Sequence, residues 1–471
     1  MKHTWTLALI AAATAFFMSP ATYAQEAPAT EEASQQDALA LYKGDWVGEL
    51  KQFGLTLIVH IDGNAAEEAT ITLDSPDQSA FGLPGEVDAM SAEALKASFA
   101  SISAKLSVSP DGEGLAGMFS QGGANLDLVL ARLDPDDESN KPSARPQEDA
   151  LVRDYKIETV SIPGGADGVT LAGELTLPKT GAPSALLVLI SGSGPQDRNE
   201  ELFRHKPFLI LSDHLTNKGF GVLRYDDRGF GESTGDFSTA TTKDFADDAA
   251  AAMRYLKGLP GMADVPVGLI GHSEGGLIAP LAAKELRPDL MVLLAGPGEK
   301  LSDVILRQSE DIAKAGGANP VALILQKAQQ TAHFDLLRSA PPETLEADMI
   351  ALIKTQGAPE EAARSAATQL TSPWMLWAFD YDPVPALVAY DGPVLALFGE
   401  KDLQVAAEPN ADIMQSALSH SASKVETLND LNHLFQLAET GTLDEYAKIE
   451  TSFDEGAMEK ISSWISAQVS E

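Results

Sequence analysis

A serine between glycines, a carboxylate further on and a histidine after that are the residues in this chain whose types and order could do chemistry. The serine is Ser273, in Gly271-His272-Ser273-Glu274-Gly275-Gly276. It follows the apolar run Val265-Pro266-Val267-Gly268-Leu269-Ile270 and precedes Leu277-Ile278-Ala279-Pro280-Leu281-Ala282-Ala283. A buried strand that breaks into Gly-X-Ser-X-Gly and continues as an apolar helix is a nucleophile elbow. Its turn is tight enough that only small residues at 271 and 275 let the flanking backbones pass, and it holds the serine strained at its tip. A serine hydroxyl is a weak nucleophile unless a base takes its proton, and that base works best when an acid fixes its tautomer. The chemistry expected of such a set is acyl transfer through a covalent intermediate, which needs neither metal nor cofactor.

In this strand order the acid precedes the histidine, which leaves His420 and His433 as candidate bases. His433 is preferred, because Leu431-Asn432-His433-Leu434-Phe435 follows the last strand, where a loop can fold back over the elbow. His420 precedes that strand and reads as a surface residue. For the acid, Asp402 in Gly399-Glu400-Lys401-Asp402 follows the apolar run Pro393 to Phe398, at the carboxyl end of a strand where such sites gather. Glu400 competes with it, and Asp430 reads as a turn residue. An oxyanion hole needs two backbone donors. One is the amide of Glu274, the residue after the nucleophile, and the other is assigned to Ser193, with Gly194 as the alternative, in the turn Ser191-Gly192-Ser193-Gly194-Pro195. The Glu274 side chain reads as an exposed helix start favoured by the dipole, and alternatively as a charge that shapes substrate choice. Asp197 and Arg198 are expected to pair locally or to touch substrate, and Arg228 to hold its own turn. Gly194, Trp374 and Trp377 are the candidate substrate contacts, the two tryptophans belonging to an aromatic stripe expected chiefly to pack.

These residues need elements to position them, and the 471-residue chain is long enough for more than one core. Lys2 and His3, the apolar stretch Trp5 to Met18 and the small residues of Ala21-Thr22-Tyr23-Ala24 predict a signal peptide over 1–24. That apolar stretch is shorter than the ~20 residues of a spanning helix, so the expectation is an exported protein, periplasmic or extracellular, without a membrane anchor. A flexible linker over 25–38 leads to short alternating runs over 39–133, expected to form a small antiparallel β domain with strands at Trp46 to Leu50, Leu55 to Ile61, Ala69 to Leu73, Ala104 to Val108 and Leu126 to Leu130. A polar, proline-rich linker covers 134–150. From 151 to 471 strands and helices alternate as in a mostly parallel sheet with helices on both faces. A helical stretch over 296–390 interrupts that rhythm and reads as an inserted cap.

Composition narrows the partners. A formal net charge of -36 argues against nucleic acid and anionic membranes, which are bound by clustered Lys and Arg. With no cysteine there is no disulfide, thiolate metal site or cysteine nucleophile.

With these motifs quoted, the region from Leu151 to the end resembles the alpha/beta-hydrolase superfamily. The set Gly192-Ser193-Gly194-Pro195-Gln196-Asp197-Arg198, Asp227-Arg228-Gly229, the Ser273 elbow, Gly399-Glu400-Lys401-Asp402 and Asn432-His433-Leu434-Phe435 is similar to exported bacterial carboxylesterases of the EstD type. Those proteins also carry an N-terminal β domain. The resemblance implies an α/β fold behind an all-β domain and a serine esterase acting on small to medium acyl esters. A peptidase, amidase or thioesterase on the same fold is the alternative, and a non-catalytic binding protein is a third. Ser191 stands where many relatives have His, so the turn's support is expected to differ. Glu274 stands where prolyl-oligopeptidase-like enzymes usually have Tyr, and no propeller-sized region precedes the hydrolase part; both disfavour the peptidase.

Overall fold

The computed structural model describes residues 35–470 except 66–67, 79, 122–123, 135–136 and 138–142. The expected signal peptide over 1–24 and the linker as far as residue 34 lie outside the described residues, as does much of the proline-rich stretch at 134–142. By internal packing the chain forms two compact units. The first takes the described residues through Ala144 with Pro341–Thr368 and Leu443–Lys448; the second takes Arg145–Ala340, Gln369–Thr442 and Ile449 onward.

In the first unit, α1 (Gln35–Tyr42) leads into β1 (Gly44–Leu50), β2 (Leu55–Asp62), β3 (Thr70–Ser75), β4 (Ala80–Met90), β5 (Leu95–Phe99), β6 (Ala104–Asp111), β7 (Gly114–Gln121) and β8 (Ala124–Arg132). These eight strands close into a barrel, each antiparallel to the next, with β1 also paired to β8. Closure removes the exposed strand edges on which open sheets aggregate. On β2 the alternate residues Leu55, Leu57, Val59 and Ile61 are buried, the period of two that a half-buried strand requires. Trp46 fills one end, its indole N–H donating to the Tyr42 carbonyl (2.6 Å) and the Arg132 guanidinium lying 3.8 Å over its ring.

Sequence patterning found five of these strands and missed β4, β5 and β7. For β4 and β7 the reason is steric, while β5 does alternate, with Leu95, Ala97 and Phe99 buried. Gly85 on β4 leaves room for the Phe99 ring, which a Cβ there would approach to 2.6 Å, and a Cβ on Gly117 of β7 would run into the Ser107 carbonyl. Pairing the barrel closely therefore put glycines where the alternation should have shown.

The second unit begins with α2 (Pro146–Asp149), β9 (Lys156–Pro163), β10 (Thr170–Leu177) and β11 (Leu186–Ile190). It continues through α3 (Pro207–Asn217), β12 (Gly221–Tyr225), α4 (Thr242–Lys257), β13 (Val267–His272), α5 (Gly275–Ala282) and β14 (Leu290–Leu294). The helices of the expected cap follow: α6 (Leu301–Ala315), α7 (Pro320–Ser339), α8 (Leu345–Thr355), α9 (Glu360–Leu370), α10 (Pro373–Ala378) and α11 (Val384–Ala389). Of these, α8 and nearly all of α9 are grouped with the first unit. The sheet resumes with β15 (Val394–Gly399), then α12 (Ala407–Ala417) and β16 (Lys424–Leu428); α13 (Leu443–Tyr446) belongs to the first unit and α14 (Glu455–Val469) ends the chain.

The second unit's sheet has the order β16-β15-β14-β13-β11-β12-β10-β9, parallel except at β10, which runs antiparallel to both neighbours. Every residue of β11, β12, β13, β14 and β15 is buried, as covered faces on both sides demand. Alternate side chains serve two cores. Leu186, Val188 and Ile190 pack with α4 and α5 residues such as Met253 and Ile278, while Leu187 and Leu189 pack with Leu211 of α3 and Ile461 of α14. The start of α4 is set by Thr241, whose hydroxyl accepts the Asp244 amide while the Asp244 carboxylate accepts the Thr241 amide. Among the described residues, no helix is long and apolar enough to cross a membrane.

Candidate active site

All the candidate residues lie in the second unit. Ser273 follows directly on β13 with φ of 53°, in the left-handed region that non-glycine residues rarely occupy, and its amide donates to the Leu294 carbonyl at 2.8 Å. The small neighbours are obligatory. A Cβ at Gly271 would collide with the Gly275 carbonyl, one at Gly275 with the Ile190 carbonyl, and one at Gly276 would sit 2.5 Å from the Gly296 Cα. Because the obstacles are backbone, Gly275→Ala should cost at least the ~1–3 kcal/mol of an overpacked core. The thermal midpoint should fall by several degrees; an unchanged melting curve would contradict this geometry.

Asp402 sits in the loop after β15 with its side chain fully buried. Its Oδ1 accepts the amides of Gln404 (2.7 Å) and Val405 (2.9 Å), which aims Oδ2 at His433 Nδ1, 2.8 Å away. The His433 loop is built by the buried Asn432, whose side-chain oxygen accepts the amides of Leu434 and Gln436, both at 3.0 Å. The competitors are elsewhere engaged. Glu400 is exposed and accepts the Asp430 amide (3.1 Å), Asp430 pairs with Lys401 (2.9 Å), and His420 Nδ1 accepts the Ala422 amide in the turn before β16.

The turn after β11 lies against the elbow, since a Cβ on Gly192 would be 3.1 Å from that of Ser273. Ser191 donates its hydroxyl to Asp227 Oδ1 (3.1 Å), and Asp227 Oδ2 accepts the Gln196 amide (3.0 Å). Burial pushes the Asp227 carboxyl well above its usual range. The Gly192 amide is committed to Glu200 Oε1 (2.7 Å), which leaves Ser193 and Gly194, the latter with φ of 92°, as candidates for the second oxyanion donor.

Three expectations from sequence are corrected. Glu274 is no exposed helix start: it is 5 % exposed, and its Oε1 accepts the Thr242 hydroxyl (2.6 Å) and the Trp374 indole N–H (2.7 Å). Its backbone caps α5, but α4 and α10 close over its side chain. Asp197 and Arg198 do not pair with each other. Asp197 accepts the amides of Asn199 and Glu201, while Arg198 donates two hydrogen bonds to the Asp226 carboxylate and reaches Glu232. Arg228 leaves its own turn and bonds Asp248 Oδ2 (2.7 Å) and the Asp244 carbonyl (2.8 Å) on α4.

Trp374 and Trp377 are half-buried and pack against the core between the sheet and its α4–α5 side, Trp377 stacking on Tyr381 at 4.9 Å. Burial raises the Glu274 carboxyl, and the bonds from Thr242, Trp374 and Ser193 only partly oppose it. A raised carboxylate confers stability that is complete below its unfolded value and is lost as pH rises through the folded one. Glu274→Gln keeps the acceptor for Thr242 and Trp374 and removes the charge. Its melting temperature should therefore gain on the native protein as pH rises from about 4.5 towards 8. A difference that stays constant across that range would refute the buried-charge account.

Sequence reading missed Glu200 and His272. His272 Nδ1 lies 2.8 Å from Glu200 Oε1 and Nε2 2.9 Å from the His433 carbonyl, and the His272 and His433 rings are 4.7 Å apart. The available signal was a lone polar side chain at the end of an otherwise apolar strand. Among the described residues, no group of three or more His, Asp and Glu is placed to hold a metal ion.

An elbow serine at the carboxyl end of a central parallel strand, with a carboxylate and a histidine on the loops after two later strands, is the arrangement of the alpha/beta-hydrolase fold, and the second unit has that fold. Residues 206–341 match the family described as serine aminopeptidase, S33. Among curated proteins the chain is similar to the esterase EstD of Thermotoga maritima, 28% identical over 300 residues. That match covers 63% of this chain and 65% of EstD, so less than two thirds of the relative's length is represented. Solved structures that resemble it include an esterase from Pyrococcus furiosus (15% identity, 67% of this chain and 92% of that one, TM-score 0.41). Another is a thermophilic esterase from Thermogutta terrifontis (21% identity, 66% and 99%, TM-score 0.39).

Proposed function

We propose that the protein is an exported serine carboxylesterase that cleaves small to medium acyl esters through an acyl-enzyme at Ser273. The observation that carries this reading is the buried Asp402–His433 pair, whose loop is bonded through the His433 carbonyl to His272, the residue before the strained serine. The resemblance to EstD supports the ester as substrate. In the proposed cycle, Ser273 Oγ attacks the ester carbonyl and gives its proton to His433 Nε2. The oxyanion is held by the amides of Glu274 and of Ser193 or Gly194. His433 returns the proton to the departing alcohol, and water, activated by the same imidazole, then releases the acid. Asp402 keeps the Nδ1 proton in place and stabilises the imidazolium.

A fluorophosphonate probe tests this directly. Labelling should map to Ser273 by peptide mass analysis and abolish hydrolysis of p-nitrophenyl acetate; a folded protein that never labels there would sink the reading in favour of a binding protein. The serine aminopeptidase family match favours a second reading, hydrolysis of an amide at an amino terminus. Aminoacyl p-nitroanilides assayed beside p-nitrophenyl esters separate the two, and faster turnover of the anilides would establish the peptidase.

A further inference from the structure

Beside Asp402–His433 lies a second carboxylate–imidazole pair that the proposed cycle does not use. Glu200 is 3 % exposed and holds its backbone at φ of 54°, a conformation that costs a non-glycine residue energy and persists only where surrounding contacts impose it. Its Oε1 accepts both the Gly192 amide and a proton from His272 Nδ1, while Oε2 is buried without a hydrogen-bond partner. His272 is 6 % exposed, and its Nε2 faces the His433 carbonyl. A carbonyl oxygen only accepts, so Nε2 carries a hydrogen. Nδ1 faces an oxygen that already accepts an amide, so the simplest arrangement places a hydrogen there too and makes His272 an imidazolium. Burial by itself would lower the His272 pKa, but Glu200, the bond to the His433 carbonyl and the Asp402 charge together outweigh it and the net shift is upward.

We propose that Glu200 and His272 are positioning residues of the same reaction: an ion pair of carboxylate and imidazolium that fixes the oxyanion turn, the elbow and the base-bearing loop to one another. This rests on reading Ser273 as nucleophile and His433 as base. Through Gly192, Glu200 sets where the next amides of the turn point; through the His433 carbonyl, His272 sets where the base stands. The titratable groups facing His272 are Glu200 from the turn after β11, and His433 and Asp402 from the loops after β16 and β15. Its ring, 4.7 Å from that of His433, also makes it a charge against which the working imidazolium forms.

Three measurements test this. In the native protein carrying ¹⁵N-histidine, both ring nitrogens of His272 should be protonated at pH 7; an unprotonated nitrogen there overturns the proposal and needs no variant. Glu200→Gln should lower kcat by about 10²-fold, the cost of a misplaced catalytic group, with KM little changed. His272→Gln, which keeps a donor for the His433 carbonyl, removes a positive charge and leaves Glu200 negative. Protonation of the base then becomes easier, and the acid limb of kcat/KM moves to higher pH, which a purely structural role would not produce. Unchanged kcat in E200Q with an unmoved acid limb in H272Q refutes the proposal while native labelling at Ser273 stands. Failure of the native protein to label refutes instead the esterase reading beneath it.

Discussion

Ser273→Ala should lower kcat for p-nitrophenyl acetate on the order of 10⁶-fold, the loss seen when a serine nucleophile is removed from a working triad. The fold should survive, because the structural requirement at this position lies in the backbone. The Ser273 amide reaches Leu294 and its carbonyl accepts the Gly276 amide, and both bonds remain in the alanine variant. Alanine also occupies the left-handed region no worse than serine does, so the melting temperature should change little. KM would be uninformative at such residual rates, and the relevant comparison is single-turnover release of nitrophenol. Residual activity within tenfold of native would remove Ser273 from the chemistry.

The second large effect concerns the tautomer of the base. Asp402 holds Oδ1 on the Gln404 and Val405 amides and presents Oδ2 to His433 Nδ1. In Asp402→Asn the side-chain oxygen stays on the two amides, for which only an acceptor will serve, and the NH₂ group turns to the imidazole. Nδ1 must then accept, the ring proton moves to Nε2, and the nitrogen meant to take the serine proton no longer can. A fall of about 10⁴-fold in kcat is expected, with the stability of the loop retained. The sign of the pH response provides a check. Hydroxide at high pH can replace the missing base, so the variant's residual rate should climb with pH beyond the point where the native rate levels; a native-like kcat in D402N would exclude Asp402 as the orienting acid.

How much of this was legible beforehand depends on whether a residue acts through its neighbours in sequence or through groups the fold brings to it. The elbow was legible because its steric demand is local: glycines at 271 and 275 are needed by the carbonyls of Gly275 and Ile190. The strands β11 to β15 were legible because burial on both faces leaves unbroken apolar runs. Asp402 was chosen for its place after such a run, and the structure pairs it with His433. The missed barrel strands β4 and β7 were illegible because Gly85 and Gly117 serve neighbours on other strands, whereas β5 was overlooked although Leu95, Ala97 and Phe99 alternate with Lys96 and Ser98. Glu274 was misread because its partners, Thr242 and Trp374, come from α4 and α10, far away in sequence. Arg228 was misread likewise, its carboxylate partner Asp248 lying on α4, 20 residues along the chain. His272 and Glu200 were overlooked for the same reason, since Glu200 finds its imidazole 72 residues along the chain and His272 meets the His433 carbonyl only when the loop after β16 arrives.

The bond between Trp374 and Glu274 ties a short helix of the stretch read as a cap to the very residue whose amide is a candidate oxyanion donor. With the Thr242 hydroxyl on the same oxygen, the peptide that carries this amide is braced by two helices besides the one it begins.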